Sequence, residues 1–236
     1  MFKKLLSILI YMIWIPIFLI SGISLVLVGS ISLPFFYHYD KIVCRIILSS
    51  LFVWPKFIGR FPNGGPYIIM MNHSSFIDAF IFPIVVRGKY TGVTAIENFK
   101  YPVFSSLLRR IQAIPIQRKD LKSAIESMNK AERVLEQGIH IGLLPEGTRT
   151  LTGRMGPLKK GGFHMAINTK TPILPIGISG AYKYKPKNRW YVTPCSVTVN
   201  IGEPFESGIY PDLGLEGLLE VVEKKLKTLS GEIDEN

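Results

Sequence analysis

The chain has 236 residues, 47% of them hydrophobic and 19% charged, with a formal net charge of +11. That length suits one sizeable α/β domain plus an accessory element, and the apolar content excludes a disordered chain. The positive balance points to an acidic partner: nucleic acid, anionic lipid or a phosphorylated substrate.

The first element is apolar. No Asp, Glu, Lys or Arg occurs from Leu5 to Tyr39, which exceeds the ~20 apolar residues needed to cross a bilayer. A secretory signal is disfavoured, because its apolar part is only ~7–15 residues and a clean small-residue cleavage site follows it. Pro16, the Ser21-Gly22-Ile23-Ser24 stretch, Gly29, Ser30 and Pro34 are expected to interrupt the run. Lys3 and Lys4 lie before it, and Lys41, Arg45, Lys56 and Arg60 after it. Basic flanks on both sides favour a helical hairpin dipping into the cytoplasmic leaflet over a single span. Residues 1–60 are therefore expected to form a helical membrane anchor and residues 61–236 the α/β domain, on the cytoplasmic face of a membrane. Trp54-Pro55-Lys56 suits the headgroup layer.

After the turn signal Asn63-Gly64-Gly65-Pro66, short apolar runs alternate with helical stretches. Strands are predicted at 67–71, 92–96, 113–117, 139–144 and 173–179. Helices are predicted at 78–87, 103–111, from Asp120 as N-cap to Gly138 as stop, at 163–168, and at the C-terminus over Leu215–Leu229. Such alternation predicts an α/β fold with a mostly parallel sheet covered by helices. Asn72-His73, Arg118 and Pro145–Arg149 each follow a strand, on the sheet edge where ligands bind in open parallel sheets.

Asn72-His73-Ser74-Ser75-Phe76-Ile77-Asp78 sets a histidine and a carboxylate five residues apart. On one regular helix they would point about 140° apart. The pair meets only if His73 sits on the turn into a helix and Asp78 lies in its first turns. A carboxylate that accepts the imidazole Nδ1–H leaves Nε2 free to take a proton from an attacking hydroxyl. His38, His140 and His164 read as packed or exposed histidines. In Leu143-Leu144-Pro145-Glu146-Gly147-Thr148-Arg149, Gly147 permits close backbone approach, Thr148 offers a hydroxyl, and Arg149 offers a fork for phosphate oxygens. Arg118 could add a second cation, and Lys159-Lys160-Gly161-Gly162 stands before a helix start, where anions are favoured.

Together these segments resemble the 1-acylglycerol-3-phosphate acyltransferase family, whose signature is NHxxxxD, then an arginine block, then PEGTR. The matching residues are Asn72, His73 and Asp78, then Ile114–Arg118, Pro145–Arg149 and the later Pro172–Ile176. The resemblance implies a glycerolipid acyltransferase fold, His73 as general base, Asp78 as its orienting partner, and no acyl-enzyme intermediate. It also implies that Arg118 and Arg149 bind the acceptor phosphate while Glu146, Gly147 and Thr148 shape that pocket. The acceptor is expected to be lysophosphatidic acid, the product phosphatidic acid, and the donor acyl-CoA or acyl-carrier protein, with no further cofactor and no metal. Two departures bear on the acceptor headgroup. Ala95-Ile96-Glu97-Asn98 lacks the lysine that members often carry there, and Gln117 stands where an acidic residue is usual.

Transfer to another lyso-lipid, a lysophospholipid or an amino-acid lipid, is the alternative within enzymes. A serine hydrolase is disfavoured because no GxSxG occurs. The basic aromatic stretch from Tyr182 to Tyr191 could suggest a nucleic-acid binder. Beside a membrane anchor it reads as a loop resting on anionic headgroups, so membrane lipid rather than nucleic acid is the expected partner. Cys44 and Cys195 stand far apart in no metal-ligand spacing, which argues against a disulfide framework or a zinc site.

Overall fold

In the computed structural model, residues 1–117 and 121–233 are described. In chain order the elements begin with α1 (Phe2–Ile31), α2 (Leu33–Ser50), β1 (Lys56–Ile58), β2 (Ile68–Met71), α3 (Asp78–Val85) and β3 (Tyr90–Ala95). They continue with α4 (Pro102–Arg110), β4 (Ile114–Ile116), α5 (Leu121–Glu136), β5 (His140–Leu143) and α6 (Gly161–Thr169). The chain ends with β6 (Ile173–Ser179), the short α7 (Ala181–Tyr184), β7 (Thr198–Ile201) and α8 (Tyr210–Leu229). The sheet order is β1-β7-β6-β2-β5-β3-β4, parallel throughout except where β7 runs antiparallel to β6.

The expected α/β architecture is present, with boundaries shifted by a residue or two, except that α8 begins at Tyr210, five residues before the predicted start, and kinks at Gly214. The predicted N-cap Asp120 lies outside the described residues. Two strands fall outside the expected set, and one of them, β1, begins before residue 61. It is three exposed residues long and pairs only with β7, so it carries none of the apolar periodicity by which a strand is read. The sheet therefore starts within the segment assigned to the anchor.

Both faces of the sheet are covered, as parallel strands require. On β2, Ile69 and Met71 join a core shared with α1, α2 and α3. Ile68 and Met70 join a second core under α5, α6 and α8. The anchor's own residues Ile10, Leu25, Phe36 and Leu48 belong to the first of these cores.

α1 runs unbroken through Pro16 and the Ser21–Ser24 stretch, and the chain turns only at Ser32, whose Oγ caps α2 by accepting from Phe35 N–H. Of the small residues expected to interrupt it, Ser21 and Gly29 are buried instead, as is Ser7, while Ser30 stays exposed. A Cβ on Gly29 would stand 2.9 Å from Cδ of Arg110, so glycine there gives α4 its close approach. The helix is long and apolar enough to cross a membrane by length and composition, about 45 Å at helical rise. It lies along the domain: Ser7 meets Val192, Trp14 meets Phe76, and Arg110 donates to the Gly29 carbonyl. Its outer face, with Leu9, Ile13, Ile20 and Leu27, stays exposed.

His140 opens β5 in the packed role expected of it. Its Nδ1 accepts from Tyr67 N–H at 3.0 Å, and its ring stacks on Tyr67. Burial pushes its pKa below the ordinary 6.5, opposed by a hydrogen bond to the Arg87 backbone. A base depressed in the folded state contributes stability above its unfolded pKa and loses it as pH falls through that value towards the folded one. Melting in detergent should therefore drop between about pH 7.5 and 5.5, and drop less in His140→Asn, whose Oδ1 still accepts without titrating. An equal drop in both proteins would remove His140 from the acid sensitivity.

Candidate active site

The site grows from two neighbouring strands. β2 and β5 pair in parallel with Met70 opposite Leu143, so the residues that follow them leave the sheet side by side. Asn72 continues the β2 ladder with its side chain: Nδ2 donates to the Ile178 carbonyl at 2.9 Å, and Oδ1 accepts from Ile178 N–H at 2.7 Å. This double bond to β6 fixes the point from which His73 departs.

His73 sits on the turn into α3, and Asp78 is the first residue of that helix, as the five-residue spacing demands. Oδ2 of Asp78 accepts from His73 Nδ1 at 2.9 Å, from Ser74 N–H at 2.8 Å and from Ser75 N–H at 2.9 Å. A carboxylate can only accept, so Nδ1 carries the proton and Nε2 holds the free lone pair. The Asp78 side chain is fully buried, while that of His73 keeps 19% exposure. The pair can therefore reach a substrate only through the imidazole.

The PEGTR segment turns at Gly147, where φ is +71°, a left-handed conformation that suits glycine. Thr150 N–H donates to the His73 carbonyl at 2.9 Å, tying the two motifs together. Glu146 was expected in the wall of an acceptor pocket. Here it is buried, with Oε1 accepting from His73 N–H at 2.6 Å and Oε2 from Gly156 N–H at 2.9 Å. Burial raises its pKa, and these two N–H groups act in the opposite direction. Glu146 thus braces the His73 turn from behind. Thr148 is exposed and Arg149 half-buried, both on the solvent side. Lys160 is held by Glu216 of α8, and Arg118 lies outside the described residues.

Two features were not read from the sequence. A cavity of about 670 Å³ runs among α1, α3, β3 and α4, lined by Phe18, Ile23, Phe80, Phe82, Val103 and Phe104, and it reaches Asp78. Its walls come from segments some 80 residues apart in the chain, so no local pattern announces it. Gly142 on β5 keeps room there, because a Cβ would stand 2.2 Å from the Phe82 ring. The second feature is the loop after α7, whose Lys187 Nζ donates to Thr148 Oγ1 at 3.1 Å. Its basic aromatic composition was the available signal, assigned above to lipid headgroups.

The family model described as Acyltransferase matches residues 56–179. The chain belongs to the acyltransferase family. Curated relatives named 1-acyl-sn-glycerol-3-phosphate acyltransferase include one from Cocos nucifera, 30% identical over 66% of this chain and 51% of its own length. One from Limnanthes douglasii is 32% identical over 68% of this chain and 59% of its own. The human alpha form is 31% identical over 65% of this chain and 55% of its own. This acyltransferase thus spans about half to three fifths of the length of these relatives. The crystal structure of the 1-acyl-sn-glycerophosphate (LPA) acyltransferase PlsC from Thermotoga maritima has the same fold. Its TM-score is 0.83 at 23% identity, covering 98% of this chain and 97% of the other.

Because Glu146 answers two backbone N–H groups, Glu146→Ala in this acyltransferase leaves both without their acceptor, at about 1–3 kcal/mol each if they stay buried. Melting should fall, and kcat for acyl transfer should fall with the acceptor KM little changed, because His73 moves while the acceptor's contacts remain. A rise in acceptor KM alone, at unchanged kcat, would instead place Glu146 in the acceptor pocket.

Proposed function

We propose that this chain transfers a fatty acyl group from an acyl thioester to the free hydroxyl of lysophosphatidic acid, giving phosphatidic acid for phospholipid synthesis. The observation that supports this reading is the His73–Asp78 pair, with an apolar cavity reaching Asp78 and a basic loop, facing Arg149, bonded to Ser75 two residues from His73. One side suits an acyl chain and the other a phosphomonoester. The curated relatives, named for this reaction, support the same acceptor.

In this mechanism Nε2 of His73 takes the hydroxyl proton as the acceptor oxygen attacks the thioester carbonyl. The C–O bond forms, the C–S bond breaks, and the thiolate leaves and collects the proton from His73. Asp78 keeps the imidazole in the required tautomer and offsets the charge it gains. No covalent intermediate with the protein is needed. The donor is acyl-CoA or acyl-carrier protein. The exposed apolar face of α1 rests in a membrane, with the catalytic domain on the cytoplasmic side, where both donors are soluble.

Two sets of variants test this. His73→Ala should abolish transfer, and Asp78→Asn should lower it by orders of magnitude, since an amide lacks the charge that offsets the imidazolium and no longer enforces the tautomer with Nε2 free. Turnover by His73→Ala within about tenfold of wild type, under ~1.4 kcal/mol, would remove the base assignment. Arg149→Ala should lower kcat/KM for lysophosphatidic acid far more than for a monoacylglycerol without phosphate, by roughly 1.5–3 kcal/mol. Arg149→Lys should recover only part of the loss, since an ammonium lacks the bidentate fork. Equal losses on both acceptors would mean that Arg149 does not bind the phosphate.

A further inference from the structure

From Lys183 in α7 to Val192 in the loop that follows, the chain carries four cations, Lys183, Lys185, Lys187 and Arg189, and the charge of Arg149 acts on Lys185. This loop is built rather than draped. Arg189 donates Nε–H to the Tyr191 carbonyl and Nη2–H to the Lys183 and Tyr184 carbonyls, and stacks its guanidinium 4.8 Å from the Tyr191 ring centre. From the far side, Tyr11 of α1 donates to the Trp190 carbonyl, and Ser7 exchanges hydrogen bonds with Val192.

The loop is held directly against the catalytic turn. Ser75 Oγ, two residues from His73, donates to the Lys185 carbonyl at 2.9 Å. Lys185 Nζ lies 5.6 Å from the Phe76 ring centre, and Lys187 Nζ reaches Thr148 Oγ1. Burial lowers the Lys185 pKa, and the charges of Arg149 and then Arg189 lower it further. Among the described residues no ion pair joins Arg149, Lys185, Lys187 or Arg189 to a carboxylate. The nearest carboxylates in the motifs, Asp78 and Glu146, direct their bonded oxygens at His73 and at backbone N–H groups. Like charges gathered in a half-buried place, without counter-charge, call for a multivalent anion.

We propose that Lys185 and Lys187 are acceptor-binding residues, which with Arg149 and Thr148 form the seat of the phosphomonoester. The assignment rests on the acyl-transfer reading above and adds two residues to it. A phosphate could also come from the donor, whose pantetheine-linked carriers contain phosphate. The distances favour the acceptor: its phosphate is three bonds from the carbon that bears the reacting hydroxyl. The donor's phosphates lie a whole pantetheine arm from the thioester. Residues so close to His73 in the turn meet the nearer group.

The test is steady-state kinetics of the full chain in detergent micelles, with Lys185→Met, Lys187→Gln and the double variant. Each is assayed on lysophosphatidic acid, on monoacylglycerol, and against varied acyl donor. Methionine keeps an apolar side chain of similar length and removes the charge, together with the ammonium's contact with Phe76. One charge-assisted contact to phosphate corresponds to about tenfold or more in affinity. The expected result is an acceptor KM raised about tenfold in Lys185→Met and further in the double variant. The donor KM, the monoacylglycerol rate and the melting temperature should stay unchanged. Lys185→Arg should keep most of the affinity. A raised donor KM with the lysophosphatidic acid KM intact would assign the lysines to the donor and overturn the proposal. Equal losses on both acceptors would reduce them to braces of the loop, which also overturns it. A wild-type chain that never uses lysophosphatidic acid, yet acylates another acceptor, would sink the proposed function first and this assignment with it.

Discussion

One carboxylate oxygen, Oδ2 of Asp78, receives hydrogen bonds from the His73 ring and from the backbone of Ser74 and Ser75. These three bonds close the turn between β2 and α3 and choose the imidazole tautomer in the same act. They also explain the spacing. With four residues between histidine and aspartate, the chain wraps once around the carboxylate before the helix begins, and the ring arrives beside it. The turn is then secured from outside, by Asn72 on β6 and by Glu146 after β5. Catalytic geometry thus rests on buried hydrogen bonds to backbone, which do not depend on flexible surface contacts.

The N-terminal helices are part of this machinery. α1 walls the cavity with Phe18 and Ile23, packs Trp14 against Phe76, and holds the basic loop through Ser7 and Tyr11. α2 reaches the same cavity with Asp40 and Cys44; Asp40 is buried and accepts a hydrogen bond from Tyr90 of β3. The helix that shows its apolar face outward therefore also sets the shape of the site facing inward. In the proposed reaction a lipid acceptor stays in the membrane surface while its hydroxyl meets His73, which spares it transfer into water.

The two sides of the His73 turn differ in the physics that holds a ligand. The cavity offers apolar burial, which is non-directional and grows with chain length. The rim offers localised charge, which fixes a headgroup by position. Their separation by a single turn of backbone matches a substrate pair in which the carbonyl carbon carries a long chain and the hydroxyl stands close to a phosphate.

The sequence by itself determined the elements with strong periodicity, the meeting of His73 with Asp78 and the family. Period-3.6 and short buried apolar runs mark elements that must cover both faces of a parallel sheet. The His73–Asp78 spacing has only one geometry in which the side chains meet. Tertiary structure decided the rest. β1 and β7 are short strands with partners but little signal of their own, so only pairing defines them. Gly22 and Gly29 of α1 read as breaks, because their contacts with Val103 and Arg110 of α4 come from a segment some 80 residues later and leave no local pattern. Glu146 reads as a pocket residue from its motif, and only the parallel register of β2 and β5 turns it towards the His73 backbone. Lys185 and Lys187 stand more than a hundred residues from His73 in sequence, and the course of the chain beyond β6 brings them to it. Local pattern reports what a segment prefers. Which distant segments meet depends on packing, and that information is held by the fold as a whole.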